Sequence, residues 1–108
     1  MTSAQYQHHD AMLETIQRHA FSYFDHETNQ LNGLVRDKTA QAWPCSIAAV
    51  GMALSAYPVG VVRGYMSRGD ALTRTLATLR FFAGSEQSES PAATGNRGFY
   101  YHFLDMDT

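Results

Sequence analysis

The chain has 108 residues, a formal net charge of -2 and 17% charged residues. That length fits one small domain or part of a larger one, and a hydrophobic content of 44% excludes a disordered chain. The near balance of 8 Lys+Arg against 10 Asp+Glu argues against a nucleic-acid partner. A charged fraction below the usual value of about 25% implies that much of the surface is covered by further protein. Cys45 is the only cysteine, so no intrachain disulfide can form. Residues 1–10 are polar and carry no apolar h-region, so no secretory signal is expected from them.

The first expected helix covers residues 10–27. Leu13, Ile16, Ala20 and Phe24 recur at helical spacing, Met12 and Tyr23 widen their stripe, and Asp10 is the expected cap. Residues 28–32 are polar, and Gly33 reads as a stop or turn.

Residues 40–62 contain no charge, and residues 46–57 are dense in Ala, Gly and Ser. Pro44 suits the start of a second helix, and Pro58 should kink or end it. A run this long raises a membrane span. Two Pro, two Gly and several polar groups interrupt it, however, and a helix apolar on all sides also occurs inside a large protein core. No membrane partner is expected.

The third expected helix covers residues 67–83. Ser67 with Asp70 resembles a capping box, Leu72, Leu76, Leu79 and Ala83 form the stripe, and Arg74 and Arg80 fall on the other face. Gly84 is the expected C-terminal cap. Residues 85–97 form a polar loop without periodicity, and residues 98–104 are an aromatic cluster.

Few constellations carry chemistry. The five His show no metal-ligand spacing, so no metal is expected. Cys45 has no paired base and reads as a buried small residue near a helix start. The charged segment 33–38 reads as a solvated loop, or as a place where Arg36 and Asp37 bind polar ligand groups. GFYYHFLD, residues 98–105, sets four aromatics and a His before a carboxylate. Flat rings stack on the apolar faces of pyranoses while His and Asp bond hydroxyls; the other reading is an aromatic strand or turn with alternate faces buried.

Three segments together resemble one family: FSYFDHETNQLNGLVRDK at 21–38, SIAAVGMALSAYPVGVVRGYMSRGDAL at 46–72 and GFYYHFLD at 98–105. Their order and spacing are similar to the N-terminal part of bacterial glucoamylase-like proteins, which include endo-β-1,2-glucanases and a domain of cyclic β-1,2-glucan synthases. The resemblance implies an all-α fold, an (α/α)6 barrel of which this chain holds about three helices, a loop and a short aromatic extended segment. Twelve helices of about 11–12 residues with their connections need well over about 150 residues. Residues 1–108 are therefore expected to be the N-terminal part of one such domain, truncated at its C-terminal side. The resemblance also implies glycoside hydrolysis of a β-glucan, β-1,2-linked, by carboxylates that follow residue 108. No catalytic residue is assigned within the chain, which alone should be inactive. Tyr101 and His102, with Asp37 and Asp105, are the expected substrate-lining residues. The expected partners are an oligo- or polysaccharide and the missing part of the barrel; no cofactor is implied. Family members are usually exported or periplasmic. The alternative reading is a non-catalytic helical interaction module whose apolar second helix docks on a partner.

Overall fold

The computed structural model describes residues 1–107, and over half of them lie in three helices. They are α1 (Ser3–His26), α2 (Ile47–Arg63) and α3 (Arg68–Gly84). Four two-residue strands complete the set: β1 (Cys45–Ser46), β2 (Gly95–Asn96), β3 (Phe99–Tyr100) and β4 (Phe103–Leu104). The expectation of three helices holds, while the expected featureless loop contains β2, which pairs antiparallel with β3.

The helix ends follow backbone hydrogen bonding more than apolar periodicity. α1 begins at Ser3 and not at Asp10, because Thr2 and Gln5 form a complete capping box. Ser67 caps α3 by accepting from the Asp70 N–H. α3 runs through Gly84 and is closed by Ser85, so Gly84 is not the cap. Pro44 stands before β1, and α2 starts only after Ser46. Pro58 does not end α2, which continues to Arg63 and stops at Gly64 in the left-handed conformation, φ 78°.

The core lies where α2 meets its neighbours. Val50, Ala53 and Tyr57 of α2 are buried with Phe21 of α1, Ala71 of α3, Leu34 and Val35 from the segment between α1 and α2, and Leu104 of β4. Gly60 is needed there: a Cβ at this position would overlap the Phe21 ring. Gly33 combines φ 75° with a backbone pressed against Thr78 of α3, so no other residue fits.

The expected core stripes of α1 and α3 are covered only in part, with Tyr23 and Phe24 of α1 packed against the core. Leu13 and Ile16 are 60% and 57% exposed, and Leu72 and Leu79 are 57% and 54% exposed. Arg74, expected on the solvent face, turns inward and meets Asp25 of α1 at 2.6 Å. Periodicity locates an apolar face but not the element that covers it. Among the described residues no helix is long and apolar enough to cross a membrane.

Candidate functional site

The segment between α1 and α2 folds back on itself. Bridges join Thr28 to Val35 and Arg36 to Cys45, and the Asp37 N–H donates to the Pro44 carbonyl at 2.9 Å. The C-terminal segment lies beside it through the antiparallel β1–β4 pair, with Cys45 opposite Leu104 and Ser46 opposite Phe103. The side-chain amides of Asn29 and Asn32 each donate to the Met106 carbonyl at 3.0 Å. These bonds pin the chain that follows β4 against the first loop.

One result is a cleft of about 180 Å³, lined by Arg36, Gln41, Ala42, Trp43, Pro44, Asp105, Met106 and Asp107. The Arg36 guanidinium is held by Glu27 at 2.9 Å, and its Nε is buried without a hydrogen-bond partner among the described residues. The Tyr23 hydroxyl donates to the Arg36 carbonyl. Burial first, then the Glu27 and Asp37 carboxylates, raise the Tyr23 pKa against the opposing pull of Arg36. Asp37 accepts the Trp43 indole N–H at 3.3 Å. The Lys38 ammonium stands over the Trp43 ring, 3.6 Å from its centroid. Asp105 Oδ1 accepts the Asp107 N–H at 2.9 Å.

His102 and Asp105 flank β4 on opposite ends. The His102 carbonyl accepts from the Ile47 N–H at 2.9 Å, and its Nε2 shares a hydrogen bond with Ser46 Oγ at 3.0 Å. Ser46 makes no cap bond to α2, so its hydroxyl is committed to His102 instead. Tyr101 is tied by its N–H to the Thr94 carbonyl at 3.0 Å, and its ring is half exposed.

Of the four residues expected to line a substrate, Asp105 lies on the cleft and Asp37 reaches it through Trp43. His102 and Tyr101 lie beyond the other end of β4, where the chain passes the start of α2. The residue that the sequence reading missed is Trp43. Its signal was present: it is the single tryptophan, beside Pro44, at the edge of the charge-free stretch.

The arrangement offers a flat ring with fixed donors and acceptors around it, which suits a neutral polyhydroxylated ligand. Among the described residues no group of three or more His, Cys, Asp and Glu side chains is placed to hold a metal ion. Cys45 is fully buried, and desolvation pushes its thiol up to about 11, so it is no nucleophile at neutral pH.

The crystal structure of a candidate glucoamylase from Bacteroides fragilis NCTC 9343 superposes on this chain with a TM-score of 0.72 and 25% sequence identity. The fold is glucoamylase-like. The superposition covers 92% of this chain and 24% of the Bacteroides chain, so the glucoamylase-like segment spans about a quarter of that protein's length. No protein-family model and no curated protein matches. The three helices and short strands thus correspond in fold to part of a helical glucoamylase-like domain.

Proposed function

We propose that this chain is the N-terminal part of a single glucoamylase-like (α/α)6 domain that hydrolyses a β-glucan, β-1,2-linked, and that it supplies part of the substrate path. The observation that carries this reading is the superposition on the Bacteroides protein over 92% of the chain. The polar cleft with its exposed Trp43 ring supports it, since neutral sugars are held by ring stacking and hydroxyl hydrogen bonds. In this reading Tyr101, His102 and Asp105 contact the sugar, with Asp37 at the edge. The acid and base that cleave the glycosidic bond belong to the part of the domain outside this chain. The exposed apolar faces of α1 and α3 also suit a helical interaction module, so sugar binding is the discriminating property.

Two experiments test the reading. Calorimetric titration of this chain should show saturable binding of a linear β-1,2-gluco-oligosaccharide and weaker binding of an α-1,4-gluco-oligosaccharide. In a longer protein that contains this chain and hydrolyses β-1,2-glucan, His102→Ala should raise KM or lower kcat by about tenfold, the effect of losing one aligned hydrogen bond. Unchanged kinetics would remove His102 from the site. Failure of both proteins to bind or cleave any β-glucan would sink the reading.

A further inference from the structure

Trp43 sits in a loop that leaves its ring little freedom. The loop is closed by the Asp37 N–H to the Pro44 carbonyl at 2.9 Å, and the Trp43 N–H donates to the Ala40 carbonyl at 2.9 Å. The indole edge is fixed by Asp37 Oδ2 at 3.3 Å. One ring face is occupied by the Lys38 ammonium, 3.6 Å from the centroid. Even so, the residue is 40% exposed and lines the cleft with Arg36 and Asp105. A large aromatic side chain held at its edge and on one face, yet left in solvent, does not serve the core. A ligand that stacks on this ring would take its second face.

The surroundings specify what that ligand is. The cleft holds a cationic guanidinium whose Nε is buried and unpartnered among the described residues, an amide at Gln41 and a carboxylate at Asp105. Donors and acceptors of both kinds around one flat apolar ring match a pyranose, which presents an apolar C–H face and a rim of hydroxyls. The volume of about 180 Å³ suits a single sugar ring.

We propose that Trp43 is the stacking platform for one glucosyl unit, and that Asp37 is a positioning residue that acts through the indole and does not touch the sugar. This rests on the glucan-binding reading above and revises the place of Asp37 within it. Asp37 holds the ring plane at its edge, Lys38 closes one face, and Arg36 and Asp105 meet the hydroxyls. Ordering the ring before binding lowers the entropy lost when the sugar arrives.

The chain carries its own probe, because Trp43 is the only tryptophan. A linear β-1,2-gluco-oligosaccharide is titrated into the chain by calorimetry and by tryptophan fluorescence in parallel. The expected result is a saturable emission change, with reduced acrylamide quenching, that follows the calorimetric isotherm. Trp43→Ala should weaken binding about tenfold, the worth of one stacked ring, and Trp43→Phe should recover part of that. Asp37→Asn keeps an acceptor for the indole N–H and should bind within about twofold of the parent, whereas Asp37→Ala should lose about fivefold. Circular dichroism confirms that each variant keeps its helices, and the fluorescence of the unmodified chain needs no variant at all. Calorimetric binding with silent fluorescence and an unaffected Trp43→Ala would overturn the platform while leaving the glucan-binding reading intact. Equal losses in Asp37→Asn and Asp37→Ala would overturn the positioning role and put the carboxylate on the sugar. Absence of calorimetric binding would overturn both the platform and the reading beneath it.

Discussion

Cys45 is fully buried, and the water it has lost can no longer stabilise a thiolate. Its pKa therefore rises from an ordinary 9.0 to about 11. Two consequences follow at this one residue. At pH 8 a maleimide or disulfide reagent should label the native chain about a hundredfold more slowly than the urea-unfolded chain, in proportion to the thiolate present. The folded state also keeps a proton that the unfolded chain gives up near pH 9, so stability is intact below that value and falls as pH rises toward about 11. Urea unfolding curves collected across that alkaline window check the sign, and Cys45→Ser should flatten the dependence. His102 illustrates the limit of reading one residue at a time. Its place in an aromatic segment was plain in the sequence, but its hydrogen bond with Ser46, 56 positions away, is a product of the β1–β4 pairing.

At the scale of elements, α2 is the shared partner. It packs on α1 through Gly60 and Phe21 and on α3 through its buried Tyr57 and Ala71 neighbours. α1 and α3 are tied to each other by a charge pair, Arg74 to Asp25 at 2.6 Å, with Arg74 only 11% exposed and Asp25 44% exposed. Such a half-buried pair is stronger than a surface one, and losing one partner leaves the other poorly solvated. Arg74→Ala should destabilise the chain by about 1–2 kcal/mol in urea unfolding, and the double variant with Asp25→Ala should cost less than the two single losses together. Additive losses would show that the pair has no coupling. The helices themselves were legible from the sequence, through Ser67 before α3 and the charge-free run of α2. The inward turn of Arg74 was not, because a charge on a helix is placed by its partner on another element.

The whole molecule is elongated, with extents of 61 × 27 × 24 Å. Its accessible surface is 7288 Å², against about 6,000 Å² for a compact monomer of this mass. Its radius of gyration is 16.8 Å, against about 13 Å for a compact chain of this length. The exposed surface includes faces that periodicity marks as core, Leu13 and Ile16 of α1 and Leu72 and Leu79 of α3. Exposed apolar area on this scale drives association. The isolated chain should self-associate as concentration rises, measured by sedimentation, and Leu72→Gln with Leu79→Gln should reduce that association. Because both positions are already exposed, the unfolding free energy should move by no more than about 0.5 kcal/mol. A large loss of stability would mean that these side chains are packed within the chain.

The sequence by itself determined the number of helices, the apolar character of α2 and the Ser67 start of α3. Each of these depends on neighbours within a turn or two, which the order of residues encodes directly. The motif resemblance reached the glucoamylase-like fold as well, since its three segments keep their spacing along the chain. Only the tertiary structure decided which faces are covered, which way Arg74 turns, and that Trp43 and Asp105 share a cleft. Those facts depend on contacts between residues far apart in the chain. Hydrophobic burial has no direction of its own and covers whichever face a neighbouring element can reach.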